Sequence, residues 1–279
     1  MALSSFADGR LWGVRHGHGP ARVLALHGWQ RAHDDFAPVL DGLDALAVDL
    51  PGFGLAPEPP QAWDSAGYAA FVAPVLDDMA VGPVVVLGHS FGARVAAHLA
   101  ASHPGRVAAL VLTGAPFAPF PGQGPARPAT AFRLARSLHH LGVLPEHRME
   151  AVRRRYGSED YRQATPMMRA VLVKAVGETA GAAYGPVLAP WTANGGRLAL
   201  VWGEADTVAS LEGTKAALAA AGASVSELVV VPGARHVLGA GLHAALREAL
   251  ARALAGAGPA GLHEGGRPGG TAARPAARQ

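Results

Sequence analysis

The chain has 279 residues, half of them hydrophobic and 16% charged, with a net charge of +3 and no cysteine. That composition is enough for a sizeable globular core, and it excludes disulfides, thiolate metal sites and a cysteine nucleophile. The cations are nearly all arginine, since Lys174 and Lys215 are the only lysines, and no basic stripe laced with aromatics marks a nucleic-acid surface.

From the N-terminus, residues 1–10 lack a basic start followed by an apolar stretch, so no secretory leader is expected. With the absence of cysteine this fits a reducing, cytoplasmic setting. No apolar run is long enough for a bilayer, so stable membrane insertion is not expected. Arg10 to Arg15 and Ala21 to Leu26 read as short strands about a turn at His16-Gly17-His18-Gly19-Pro20. A strand ends at Leu46-Ala47-Val48-Asp49-Leu50, and Pro51-Gly52-Phe53-Gly54 forces a loop. Ala66 to Met79 has helical spacing with a break or kink at Pro74. Val84 to Leu87, Val107 to Leu112, Leu198 to Trp202 and Leu228 to Val231 are continuous apolar runs, the pattern of strands buried on both faces. Strands alternating with helices predict an α/β fold with a mostly parallel sheet and helices on both sides.

The alternation stops between Pro116 and Trp191. A Pro- and Gly-rich stretch to Pro128 is followed by helical patterns at Thr130 to Leu141, Glu146 to Tyr156 and Thr165 to Thr179. In the first, Ala131, Leu134, Ala135, Leu138 and Leu141 share one face. Arg153-Arg154-Arg155 reads as a solvated face of this insertion. The expected organisation is a core of residues 1–116 and 192–255, a helical cap over 117–191 inserted late in the sheet, and a disordered tail over 256–279. Leu242 to Leu254 closes the core as an amphipathic helix.

The chemistry centres on Gly88-His89-Ser90-Phe91-Gly92, which follows a predicted strand and opens a predicted helix. A serine on such a strand-to-helix turn is held in a strained conformation with its hydroxyl above the sheet, and the flanking glycines avoid collision with neighbouring elements. A serine hydroxyl needs a base, and the base needs a carboxylate to fix its tautomer. Asp206 and His236 each follow a late predicted strand, in the order Ser, Asp, His. Open parallel sheets bind ligands outside the carboxyl ends of their strands, where all three would meet. Glu204 competes with Asp206 for the carboxylate role, while Asp34-Asp35 reads as a helix start. Leu24 to Leu26 runs into His27-Gly28-Trp29, so the backbone N–H groups of Trp29 and Phe91 are candidates for an oxyanion hole. His27 and His89 read as loop-orienting residues. His139, His140 and His147 lack the spacing of a metal site, and no metal or cofactor is expected.

These residues resemble the α/β-hydrolase superfamily from about Arg10 to Leu254. Its His-Gly oxyanion loop is matched by His27-Gly28-Trp29, and its Gly-x-x-Asp acid loop by Gly203 and Asp206. Its Asp-x-Pro-Gly-x-Gly-x-Ser loop is matched by Asp49 to Ala56, with Ala56 in place of the serine. Ala93 stands where the elbow often has another glycine. The resemblance implies an eight-stranded, mostly parallel sheet, hydrolysis through an acyl-enzyme and no cofactor. The expectation is an esterase of small to medium hydrophobic acyl substrates, as a monomer or homodimer. Trp29, Phe117, Phe120, Leu138, Met167, Met168 and Trp191 are expected to line the acyl pocket or to hold the cap together. Carbon–carbon hydrolysis, acyl transfer or lyase chemistry through the same triad is a second reading, although His89 stands where carbon–carbon hydrolases of this family commonly carry Asn. A non-enzymatic ligand receptor is a third. Ser90 argues against epoxide hydrolases and haloalkane dehalogenases, which use an aspartate at this position.

Overall fold

The computed structural model of the protein describes residues 3–79, 82–120, 130–156, 158–180 and 184–257. One sheet contains β1 (Leu3–Phe6), β2 (Leu11–His16), β3 (Val23–Leu26), β4 (Ala45–Asp49), β5 (Val84–His89), β6 (Val107–Thr113), β7 (Arg197–Gly203) and β8 (Glu227–Val231). Their spatial order is β1-β2-β4-β3-β5-β6-β7-β8. The pairs β1–β2 and β2–β4 are antiparallel and the others parallel. This is the eight-stranded, mostly parallel sheet of the expected fold. β1 adds a strand that the sequence pattern did not reveal: of its four residues only Phe6 is buried, so it carries no period-2 signal.

The helices are α1 (Ala37–Leu40), α2 (Ser65–Val72), α3 (Phe91–Ser102), α4 (Thr130–His140), α5 (Glu146–Tyr156), α6 (Glu159–Gln163), α7 (Pro166–Ala180), α8 (Tyr184–Ala193), α9 (Leu211–Ala220) and α10 (Ala240–Gly256). Side chains alternate across a strand, so each inner strand feeds two cores. Val84 and Val86 join Leu24, Leu110 and Leu200 on the face covered by α2, α3 and α8. Val85 and Leu87 join Ala25, Val111 and Val201 on the face covered by α1 and α10. Every residue of β5 is buried. Burial of each Val or Leu contributes about 1.5–3 kcal/mol, an upper figure before chain entropy is counted. β8 departs from its expected burial on both faces. It is an edge strand with Leu228 41% and Val230 43% exposed, because a helix covers only its inner side.

Asp64 caps α2 by accepting from the Gly67 N–H at 2.8 Å, and the helix gives way to a 3-10 turn over Ala73–Asp78 that contains Pro74. Between β6 and β7 lie α4 to α8, the helical insertion. α6 and α8 were not foreseen; α6 is only five residues long, and α8 carries Pro190 inside it. The buried face of α4 overlaps the expected one only at Ala135 and the half-buried Leu138. Phe132 and Ala135 pack against Met149 of α5, while Leu134 and Leu141 are exposed. Arg153 is likewise turned inward onto Glu146 and Glu150, with 15% of its side chain exposed, rather than solvated. α8 runs through the expected boundary at 191/192 and packs in the main core through Tyr184, Leu188 and Trp191. α10 includes Gly256, the first residue of the expected tail; residues 258–279 of that tail, and 121–129 of the Pro- and Gly-rich stretch, lie outside the described residues. Among the described residues no helix is long and apolar enough to cross a membrane.

Candidate active site

β5 ends at His89 and α3 begins at Phe91, leaving Ser90 alone on the turn with φ of 51°. Positive φ is uncommon outside glycine and carries strain, of order 1–3 kcal/mol. The two flanking glycines make the turn feasible. A Cβ on Gly92 would lie 2.0 Å from the Leu26 carbonyl oxygen, and one on Gly88 would lie 2.7 Å from the Ala93 Cα. The Ser90 N–H donates to the Thr113 carbonyl of the adjacent strand at 3.0 Å, which pins the turn to β6.

His236 arrives from the loop after β8. Its Nε2 lies 3.0 Å from Ser90 Oγ and its Nδ1 lies 2.8 Å from Asp206 Oδ2. With Nδ1–H donating to the carboxylate, the Nε2 lone pair faces the hydroxyl, an arrangement suited to drawing a proton from the alcohol. Asp206 follows β7, and its other oxygen accepts from the N–H groups of Val208 and Ala209 at 2.8 and 2.9 Å. Burial works to raise the Asp206 pKa, but the hydrogen bonds from His236, Ala209 and Val208 outweigh it and hold the carboxyl below its ordinary range. Glu204, the competing carboxylate, is exposed and accepts from the Gly233 N–H at 3.0 Å. Gly114, just past β6, was missed in the sequence. Its φ is +55°, and a Cβ there would meet His236 Cε1 at 2.8 Å. A glycine directly after a buried strand was the available signal.

The turn after β3 packs against this elbow. A Cβ on Gly28 would lie 2.9 Å from His89 Nδ1 and 3.3 Å from Ser90 Cβ. Phe91 occupies the first position of α3, where N–H groups have no partner within the helix. His27 is fully buried, with Nδ1 2.8 Å from the Gly28 carbonyl and Nε2 accepting from the Leu50 N–H at 2.9 Å. Burial pushes its pKa down, and the neutral ring ties the turn to the end of β4. Asp49 orders the next loop by accepting from the N–H groups of His33 and Leu55 at 2.8 and 3.0 Å. His33 to Phe36 is a 3-10 turn, so Asp34-Asp35 starts a short helix as expected.

A cavity of about 580 Å³ opens over Ser90, walled by Trp29, Phe91, Phe120 and the face of α7 that carries Val173 and Val176. Trp29 and Phe120 therefore line it, whereas five other expected pocket residues do not. Phe117 is fully buried and stacks on Tyr184 with ring centroids 4.6 Å apart. Trp191 is buried against Gly196 and donates Nε1–H to the Val107 carbonyl at 3.2 Å. Met168 presses its sulfur on Gly52 beneath α7, while Met167 and Leu138 are half-buried away from the cavity. The large apolar side chains in this set are held by the main core, which offers a closer fit than a solvent-open pocket. Arg94 was not foreseen as a wall residue, although its place four residues after Ser90 puts it on the same helix face.

A family model described as alpha/beta hydrolase fold matches residues 21–239, and the chain belongs to that family. Among curated proteins, a lipase, LipV, of Mycobacterium tuberculosis is 45% identical over 101 residues, 34% of this chain and 37% of that protein. A pimeloyl-[acyl-carrier protein] methyl ester esterase of Neisseria meningitidis is 41% identical over 96 residues, 33% of this chain and 29% of that protein. These matches span about a third of the length of the curated relatives. Among solved structures, a thermophilic esterase from Thermogutta terrifontis superimposes with a TM-score of 0.63 at 20% identity, covering 92% of this chain and 99% of that one. At that identity the likeness speaks for the fold.

Proposed function

We propose that this protein is a serine hydrolase that cleaves an ester or related acyl bond of a small to medium hydrophobic substrate through an acyl-enzyme. Ser90 attacks the carbonyl carbon while His236 takes its proton. Asp206 keeps the imidazole in its tautomer and stabilises the imidazolium. The N–H groups of Trp29 and Phe91 hold the oxyanion. His236 then returns the proton to the leaving alcohol, and water activated by the same ring releases the acid. The observation that carries the reading is the unbroken run of two hydrogen bonds, 2.8 and 3.0 Å, from Asp206 through His236 to Ser90 at the floor of an apolar cavity. The lipase and methyl ester esterase among the relatives favour an ester over other acyl bonds. No cofactor is required by this scheme, and the cysteine-free sequence favours a cytoplasmic setting.

The test is turnover of p-nitrophenyl esters graded by chain length, beside a dienone substrate and a fluorophosphonate probe. Ester hydrolysis with rapid labelling at Ser90 is expected, and Ser90→Ala should lower kcat by about 10⁶. Wild-type rates in that variant would refute the assignment. Turnover of the dienone alone would move the protein to carbon–carbon hydrolysis, and folded protein that resists the probe would favour a receptor.

A further inference from the structure

We infer that His89, the residue before the nucleophile, is a positioning residue that holds the main chain of His236 so that its ring reaches Ser90 and Asp206 together. The inference rests on the roles proposed above for these three residues. His89 ends β5 and is 3% exposed. Its ring centroid lies 5.1 Å from that of His236, and its Nε2–H donates to the His236 backbone carbonyl at 3.0 Å.

The loop that carries His236 needs such a hold. Residues 232–239 follow an edge strand, belong to no helix or strand, and are mostly exposed. The Ala234 carbonyl is fixed by the Ala205 N–H at 2.8 Å, and the Gly239 carbonyl by the His243 N–H at 2.9 Å. Between those anchors, among the described residues, the bond from His89 is the one hydrogen bond to the loop backbone. A base displaced by about 1 Å from its working geometry costs on the order of 10² in rate. The side-chain bond to Asp206 alone leaves the ring free to swing with its own backbone.

His89 is also fitted to donate without competing for the proton. On its other side the ring meets the oxyanion turn, with Nδ1 2.9 Å from where a Cβ on Gly28 would lie, so only glycine fits opposite it. Nδ1 is buried with no hydrogen-bond partner, so a second proton there would be unpaired. Burial first, and the charge of His236 second, push its pKa down to about 4. The ring therefore stays neutral with its hydrogen on Nε2, and adds no second cation beside His236 when that residue takes the serine proton. One side chain thus touches the elbow by sequence, the base loop by a hydrogen bond and the oxyanion turn by packing.

The experiment compares His89→Phe, which keeps a ring and removes the donor, with His89→Gln, which offers an amide N–H close to the position of Nε2. In the Phe variant kcat on the best ester should fall on the order of 10² with KM nearly unchanged. The Gln variant should recover most of that loss. Proton NMR of the hydrogen bond between His236 and Asp206 provides a signature that needs no turnover: its downfield resonance should broaden in the Phe variant and persist in the Gln variant. If the Phe variant fails to fold, ¹⁵N spectra of the wild-type histidines still decide, with His89 expected as the Nε2–H tautomer and a slowly exchanging proton. A Nδ1–H tautomer would overturn the proposal. So would equal losses in both variants with an unaltered downfield signal, which would leave His89 as packing for the elbow. Failure of the hydrolase reading itself would show separately, as an inert Ser90 in a protein whose His89 tautomer and His236 signal are as described.

Discussion

At the scale of single residues, the site depends on backbone positions where a side chain does not fit. Gly88, Gly92 and Gly114 each sit where a Cβ would come within 2.0–2.8 Å of a neighbour. At Gly114 that neighbour is the His236 ring, and φ of +55° adds a second cost to any substitution. Gly114→Ala should therefore lower kcat by about 10²-fold through displacement of the ring, with a much smaller fall in denaturation midpoint; an unchanged kcat in steady-state ester assays would count against this. Much of the candidate site was legible in the order of residues. Ser90, Asp206 and His236 each stand just past an apolar run, and runs of that kind end at one rim of a parallel sheet. Gly114 and Arg94 were harder to read, because their value lies in contacts with residues distant along the chain.

At the scale of elements, α7 forms the roof of the cavity and is fastened to α3 by Arg94. The guanidinium donates to the Ala175 carbonyl and the Thr179 hydroxyl, and lies 3.8 Å from Glu178. Glu178 in turn accepts from the Ser65 N–H at 2.9 Å and the Ser65 hydroxyl at 2.6 Å, and from the Tyr184 hydroxyl. This buried network joins α2, α3, α7 and α8. Arg94→Met leaves the carboxylate short of its cation, and should destabilise the protein by about 3 kcal/mol. It should also let α7 lift, so that longer acyl esters gain in kcat/KM relative to short ones. Urea denaturation and the chain-length series check the two halves, and an unmoved midpoint with an unmoved profile would discard the tether. The strands were read well because burial on both faces writes a continuous apolar run. The cap was read less well. Its helices have narrow apolar faces, and the choice between Phe132 and Leu134 as the buried side chain of α4 is made by Met149 of another helix.

At the scale of the whole molecule, several histidines are held neutral by the fold. His16, His27, His89 and His98 all have pKa values lowered, in each case chiefly by burial. In the unfolded chain they titrate near 6.5. Between that pH and their folded values the unfolded state binds more protons, so stability is complete above about pH 6.5 and declines as pH falls. His89, titrating at about 4 when folded, accounts for roughly 3 kcal/mol of that decline by itself. Asp206, lowered by its partners, extends the loss below the ordinary carboxylate range. Denaturant midpoints at pH 7.5, 6 and 4.5 should fall in that order, and a flat series would contradict the neutral histidines.

Ser90 and His236 are not equally secured in this sheet. β5 has a bonded neighbour on each flank, whereas β8 has one on a single side. Local opening starts where pairing is thinnest, so a brief fraying of the margin would swing the imidazole away while the hydroxyl stays on its turn. On the proposed mechanism such a molecule is disarmed long before it is dismantled, and it rearms each time the margin zips shut.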